Sequence, residues 1–438
     1  MNAVLIAVII MLVLSLLRVH IVLALVIGAF AGGIVGGLGI QDTISVFTEG
    51  LGSNASIALS YALLGAFAVT LSKTGLPDAL IDAAIRLVGK EGDSKRKTYS
   101  KVLILLIILI MSCFSQNIIP VHIAFIPILI PPFLKVLNEL EVDRRLVASI
   151  ITFGLITPYM WIPAGFGTIF HQIMQTNMKE SGMNIDVDMI PKAMTIPSLG
   201  MIVGLLIAVF ITYRKPRQYE TINIATKQKR VSYTKKSILI AMISVVVTLV
   251  VQLQTDSMIF GALAGTTILV VAGVLKVKES EQVLTDGMRM MSFIGFVMIS
   301  AAGFSEVLRK TGDVESLVKT SVELIGDNKL LAAFLMLSIG LLITMGIGSS
   351  FSTVPILTTI FVPLCMQLGF SEMATIAIIG TAGALGDAGS PASDSTLGPT
   401  SGLNEDGQHN HIWDTCVPTF LHYNIPVLIF GVIAAMVL

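Results

Sequence analysis

Between residues 386 and 396 the chain reads GDAGSPASDST, the one stretch where two carboxylates, Asp387 and Asp394, sit inside what is otherwise membrane. The segment ahead of it, Ile376 to Leu385, is apolar and rich in small residues, so both acids follow it at or near bilayer depth. An Asp at the centre of a membrane helix costs roughly 2.5 to 3.5 kcal/mol on insertion scales, and acids kept there tend to line ion or substrate paths. Gly386, Gly389 and Pro391 work against an unbroken helix, because Pro lacks the amide hydrogen and Gly lowers helix propensity. Such a break frees carbonyls, and non-helical backbone at membrane depth is tolerated only where protein or a water-filled cavity satisfies it. Ser390, Ser393, Ser395 and Thr396 surround the acids with hydroxyls. Carboxylate, hydroxyl and carbonyl oxygens suit a hard cation, and a desolvated carboxyl holds a proton more readily, so one site can take Na+ or H+. A polar loop facing solvent between two short helices is the alternative.

Three other stretches could complete such a site. At 157–168, TPYMWIPAGFGT, Pro158, Pro163, Gly165 and Gly167 again break a helix, without an acid. This half-site offers carbonyls and the hydroxyls of Thr157 and Thr168, with Tyr159 and Trp161 able to pack on an organic ligand or simply to pack a kink. The two remaining stretches, 113–122 (CFSQNIIPVH) and 346–355 (GIGSSFSTVP), read as hairpin tips. There Ser115, Gln116, Asn117, Ser349, Ser350, Ser352 and Thr353 are candidate substrate contacts, since a returning half-helix points its positive dipole end at the tip. Ordinary interhelical hydrogen bonding is the competing reading for any one of these residues. Of the six histidines, only His122, beside the first tip, is a candidate for titration or substrate binding. His20, His409 and His411 read as loop residues, and His171 and His422 as residues satisfied inside the bundle.

The elements that must position these groups belong to a polytopic membrane protein. Apolar residues make up 54% and charged residues 13%, against roughly 25% charged in soluble domains. A formal charge of zero gives no sign of a nucleic-acid partner, and Cys113, Cys365 and Cys416 have neither disulfide-framework nor zinc spacing. No metal is expected beyond Na+, and no cofactor. No nucleophile, base and oxyanion group recur together, so an enzyme is not expected. Spans are expected near 3–17, 21–39, 54–72, 146–174, 195–213, 237–254, 258–275, 290–306, 373–402 and 413–438. Regions 102–134 and 330–367 have polar, Gly- or Pro-bearing centres and read as re-entrant hairpins. The basic loop 214–236 is expected in the cytoplasm and the acidic 177–194 outside, which leaves both termini outside.

The chain also repeats itself. Lys73-Thr74-Gly75, followed by Leu80, Leu87 and Gly89, is matched by Lys310-Thr311-Gly312, followed by Leu317, Leu324 and Gly326. Ile126-Pro127-Ile128-Leu129 pairs with Val354-Pro355-Ile356-Leu357, and Thr152-Phe153-Gly154 with Thr381-Ala382-Gly383. Opposite charge bias makes the repeats inverted, and broken helices at matching places point to a transport site near the midplane. The expected organisation is N-terminal scaffold helices in 1–53 and a first repeat in 54–194, with hairpin 102–134 and broken helix 146–174. Scaffold helices follow in 195–275, then a second repeat in 276–412, with hairpin 330–367 and broken helix 373–402, and a C-terminal helix in 413–438.

In GDAGSPASDST, with its partner break and two hairpins, the sequence resembles the sodium/proton antiporter family (NhaC-type) of the ion transporter superfamily. Gly386, Asp387, Ser390, Pro391, Ser393, Asp394, Ser395 and Thr396 match that family's G-D-x-x-S-P-x-S-D-[ST]-T pattern. The resemblance implies an all-α fold of inverted repeats moving as an elevator in a homodimer of the plasma membrane. It also implies cation or proton handling by Asp387 and Asp394, with ligand oxygens from Ser390, Ser393 and Thr396. Na+/H+ antiport is the leading expectation. The family also includes amino-acid permeases of the histidine type, so Na+- or H+-coupled amino-acid uptake is the alternative, and a passive channel is disfavoured.

Overall fold

The computed structural model describes residues 2–17, 19–52, 55–76, 79, 94–117, 126, 130, 133–134, 136–164, 166–220, 233–255, 257–313 and 328–438. Their regular elements are all helical. The first four, α1 (Ala3–Leu16), α2 (Ile21–Val35), α3 (Gly39–Leu51) and α4 (Ala55–Ser72), pack with α9 (Lys235–Thr255), α10 (Met258–Val271) and α11 (Ser280–Thr311). The second group holds α5 (Ser94–Asn117), α6 (Arg144–Trp161), α7 (Phe166–Glu180), α8 (Thr195–Thr212), α12 (Lys329–Ile347), α13 (Ser350–Gln367), α14 (Glu372–Ala384), α15 (Asp394–Leu403) and α16 (His411–Val437). The expected scaffold segment 195–213 therefore packs away from 237–275, on α16.

The outer helices face lipid. On α9, Leu239, Met242, Ile243, Val246 and Val250 form an exposed stripe at helical spacing, while Ala241, Ser244, Thr248 and Gln252 are buried opposite. Gly261 and Gly265 of α10 lie against Thr248, where a Cβ would collide, so the two backbones approach closely, as small residues allow in a membrane. By contrast α14 is buried along almost its whole length, and so is α6. Helices enclosed on every side have to be apolar all round, and these two carry the site.

The inverted repeat appears as antiparallel packing. Along α4 and α11, Ala58 lies opposite Gly295, Ala66 opposite Gly287, and Lys73 pairs with Glu279 at 2.6 Å, so the two helices run in opposite directions. The two Lys-Thr-Gly motifs end these helices in left-handed glycines, Gly75 at φ 76° and Gly312 at φ 68°. They consequently sit at opposite ends of the pair. Residues 80–89 and 314–326, expected to form helices after each motif, lie outside the described residues.

Several boundaries differ from expectation. The span expected at 290–306 is a helix of 32 residues, because its amphipathic beginning from Ser280 continues without a breaker to Gly312. Gly39–Leu51, which lies almost wholly between the expected spans 21–39 and 54–72, is a helix with Thr43, Val46, Phe47 and Gly50 on its buried face. In 146–174 the break falls after Trp161, with a 46° bend between α6 and α7. Pro158 stays inside α6, and its carbonyl still accepts the Ile162 amide at 2.8 Å. The region 330–367 forms α12 and α13 around Gly348 at φ 72°. Its outer ends meet where Lys329 Nζ donates to the Gly369 carbonyl at 2.5 Å, so it enters and leaves at one end.

Candidate functional site

At Leu385 the backbone leaves helix α14 (φ −60°, ψ 136°), and Gly386 and Gly389 both stand at φ 89°. L-residues rarely adopt that conformation, and a Cβ on Gly386 would lie 2.6 Å from the Leu341 carbonyl oxygen. The chain stays non-helical to Ser393, whose hydroxyl caps α15 by accepting from the Ser395 amide at 3.0 Å. Asp387 thus lies between two helix ends, only 4% exposed.

Three hydroxyls converge on it. Ser393 donates to one carboxylate oxygen; Tyr159 at 2.8 Å and Ser395 at 3.2 Å donate to the other. Tyr159 has a single hydroxyl proton, so with that proton on Asp387 it accepts from Ser350 at the second hairpin tip, 2.8 Å away. The Tyr159 ring packs on Phe170 and Phe351, with centroids at 5.1 and 5.4 Å. Among the described residues no Lys, Arg or His pairs with Asp387. An ionised carboxylate taken from water costs several kcal/mol, and hydrogen bonds to a charged group return about 1.5 to 3 kcal/mol each. That balance favours a positive charge, a bound cation or a proton, at Asp387.

The depth of the site follows from its partners. Arg144 bonds the Leu403 carbonyl at 2.9 Å, Thr152 the Ser395 carbonyl at 2.9 Å and Tyr159 the Asp387 carboxylate, so α6 runs antiparallel to α15 and to the segment before it. At 1.5 Å per residue Tyr159 lies about 22 Å along α6 from Arg144, and Ala384 about 18 Å along α14 from Glu372. Asp387 is therefore far from both ends of the bundle.

The C-terminal helix contributes two residues that the sequence reading did not place in the site. Asn424, 3% exposed, accepts from the Gly386 amide at 3.0 Å and donates to the Ala388 carbonyl at 2.5 Å, pinning the unwound segment on both sides of Asp387. His411 bonds the Pro391 carbonyl at 2.9 Å. Both lie in π-helical turns, His411–Cys416 and Phe420–Asn424, and such turns often mark functional sites. The available signal was Asn424, a polar amide in an apolar run.

The other candidates fall in different places. Ser390 and Thr396, expected beside the acids, bond backbone instead. Ser390 donates to the Met345 carbonyl at 2.9 Å, and Thr396 lies 2.5 Å from the Ser390 carbonyl and 2.9 Å from that of Ser393. The freed carbonyls of the break need donors, and these hydroxyls are the nearest. Asp394 is half-buried in the first turn of α15, where the helix dipole favours an acid, and its charge acts on both Asp387 and Tyr159. At the second tip, Ser349 makes no side-chain cap, and Thr353 donates to the Ser349 carbonyl at 2.8 Å. Thr157 is buried with no hydrogen-bond partner among the described residues. Trp161 points away, donating to Thr195 at 3.2 Å. His409 and His411, expected in a loop, are buried at 2% and 7% exposure, because the loop folds under the end of α15. The side chains of Ser115, Gln116, Asn117 and Ser352, and all of His122, lie outside the described residues.

Comparison with known proteins follows the same outline. Residues 150–432 match the profile described as the Na+/H+ antiporter family, and residues 2–88 one described as a Na+-H+ antiporter family. YuiF of Bacillus subtilis (strain 168), named as a candidate amino acid transporter, is 64% identical over 444 residues, covering 100% of both chains. A membrane protein of Vibrio parahaemolyticus serotype O3:K6 is 56% identical over 442 residues, again covering 100% of each. Among solved structures, MtrF of Neisseria gonorrhoeae, described with a class of antimetabolite efflux pumps, aligns over 92% of this chain and 85% of its own. That alignment has 14% identity and a TM-score of 0.42.

Proposed function

This chain belongs to the Na+/H+ antiporter family of membrane transporters, and we propose that it exchanges Na+ for H+ by alternating access, with Asp387 as the acid that each cation occupies in turn. The observation that carries this reading is a carboxylate buried far from both ends of the bundle, held by three hydroxyls and facing no basic side chain among the described residues. Ser393 and Ser395 serve as hydroxyl ligands to the cation, Tyr159 and Ser350 close the site from the hairpin side, and Asp394 adds negative potential. No covalent step is involved. In this reading the helices around α6 and α14 move as an elevator against those around α4 and α11, in a homodimer.

The test uses purified protein in vesicles loaded with a pH-sensitive dye and given a Na+ pulse. Dequenching that disappears in Asp387→Asn is the expected result; unchanged exchange in that variant would place the cation elsewhere. A second reading, Na+- or H+-coupled amino-acid uptake, is favoured by the name of the 64%-identical relative. It predicts no response to Na+ until amino acids are added outside.

A further inference from the structure

The two helix groups meet where the second hairpin tip rests on α1 and α11. A Cβ at Gly346, near the end of α12, would lie 2.7 Å from Val8, 3.4 Å from Phe304 and 3.6 Å from Leu308. One residue on, the Ile347 carbonyl accepts from Ser305 at 3.5 Å.

For the group that carries the site, this contact is far from either end. Tyr159 bonds both Ser350, just past the tip, and Asp387, while Ser390 bonds the Met345 carbonyl, so tip and carboxylate share one level. At 1.5 Å per residue that level is about 26 Å along α12 from Lys329 and about 22 Å along α6 from Arg144. For the other group the same contact is close to an end. The Ala3 amide donates to Asp313 at 2.6 Å and Gly36 lies against Thr311, so the start of α1 and the ends of α2 and α11 form one edge. Val8 is only about 8 Å along α1 from Ala3, whereas Phe304 is about 36 Å along α11 from Ser280.

Basic residues give each edge a side. Leu71 shares an apolar cluster with Ala241, which brings the start of α9, with Lys235 and Lys236, to the edge where Lys73 pairs with Glu279. In the site-bearing group Arg145, Arg214, Lys215 and Arg217 gather at the Arg144 edge. Edges rich in Lys and Arg face the cytoplasm, so the Ala3 edge and the Lys329 edge both face out.

We propose that this structure is the outward-displaced end of the transport stroke, with the site-bearing helices set outward by roughly 14 to 18 Å and the second hairpin tip seated on Val8, Phe304 and Leu308. The assignment rests on the reading that the two groups move against each other, and adds to it a direction, an extent and the residues of the seat. The inverted repeat supplies an opposite seat. Phe67 and Leu71 precede Lys73-Thr74-Gly75 at the spacing at which Phe304 and Leu308 precede Lys310-Thr311-Gly312, and they lie near the cytoplasmic edge. Gly346 lets the tip approach α1 closely without interlocking side chains, so the seat can be left and regained.

A cross-link that locks the seat tests this. With Cys113, Cys365 and Cys416 replaced by Ala, Val8→Cys and Gly346→Cys should oxidise to a disulfide in vesicles, because the two side-chain positions are within bonding reach. The reduced pair should exchange Na+ for H+, the oxidised pair should lose that exchange, and a thiol reductant should restore it. The locked protein should bind radioactive Na+ from outside in right-side-out vesicles and none from the cytoplasmic face in inside-out ones. Parent-rate exchange in fully cross-linked protein overturns the movement itself. Arrest with Na+ bound only from the cytoplasmic face leaves the movement standing and overturns the outward assignment. If Gly346→Cys does not fold, Ser305→Cys with Ile347→Cys probes the same seat, and failure of both pairs to oxidise overturns it. The cation reading fails separately, if Asp387→Asn leaves exchange intact.

Discussion

At the scale of single residues, the hydroxyls that touch Asp387 can be told apart from those that hold backbone. Ser393 donates to the carboxylate, whereas Ser390 donates to the Met345 carbonyl. A hydrogen bond to a charged group is worth about 1.5 to 3 kcal/mol, so Ser393→Ala should raise the half-saturating Na+ concentration about tenfold or more in vesicle exchange assays. Ser390→Ala should leave that concentration unchanged and lower the melting temperature in detergent, because a buried carbonyl loses its donor. A shift of Na+ affinity in Ser390→Ala of the same size would mean that it, too, meets the cation. The motif places all these hydroxyls within a few residues of the acids, and only their bonds separate the roles. Tyr159 shows the same gap. Its aromatic ring was legible as a packing group beside a kink, but the reach of its hydroxyl to Asp387 depends on helices α6 and α14 crossing where they do.

At the scale of elements, the unwound segment between α14 and α15 is the part most exposed to mutation. Gly386→Ala combines φ 89° with a Cβ 2.6 Å from the Leu341 carbonyl oxygen, so the strained backbone should cost at least about 1 to 3 kcal/mol, read as a lower melting temperature. Asn424→Ala leaves the Gly386 amide and the Ala388 carbonyl without partners, at about 1 to 3 kcal/mol each. Asn424→Asp keeps an acceptor for the Gly386 amide but loses the donor to Ala388 and buries a second carboxyl beside Asp387, so it should not recover the stability. If Asn424→Ala melts with the parent, water has replaced the clamp and the segment does not depend on α16. The break itself was legible from Gly386, Gly389 and Pro391. The clamp was not, because Asn424 is far along the chain and only the packing of α16 on α14 brings it to Gly386.

Across the whole molecule, the start of α6 is joined to the chain just beyond α15 by the bidentate pair of Arg144 and Asp406, with side chains 0% and 2% exposed. Breaking a buried pair costs about 3 to 5 kcal/mol because the remaining charge stays uncompensated, so Arg144→Met should destabilise strongly and Arg144→Met with Asp406→Leu should recover most of the loss. Thermal melts of the two variants decide this, and equal melting of both would remove the pair from the stability of the fold. Burial works to raise the Asp406 carboxyl, but the Arg144 bonds outweigh it and hold the group below the ordinary carboxylate range. A depressed value stabilises the fold above the unfolded value, about 3.9, and that contribution disappears as pH falls through the folded one. The parent should therefore lose more stability than a variant lacking the pair as pH falls below about 3.9, and the difference between the two should shrink there. Orientation is testable on the same scale: Lys215→Cys should react with an impermeant thiol reagent only from the cytoplasmic side and Glu180→Cys only from outside. The reverse pattern would invert the topology.

The sequence by itself determined a polytopic helical membrane protein with two antiparallel halves, a helix broken at 386–391 and an acid placed in that break. Those features rest on hydropathy, on Pro and Gly, and on the distribution of Lys and Arg, all of which act locally along the chain. Tertiary structure alone decided which groups meet Asp387. Tyr159 bonds Asp387, Ser350 bonds Tyr159, and Asn424 bonds the backbone on either side of Asp387; the three come from other helices, whose crossing geometry no local pattern encodes. The same holds for His409 and His411, whose burial comes from the start of α16 and the residue pair before it packing against α15.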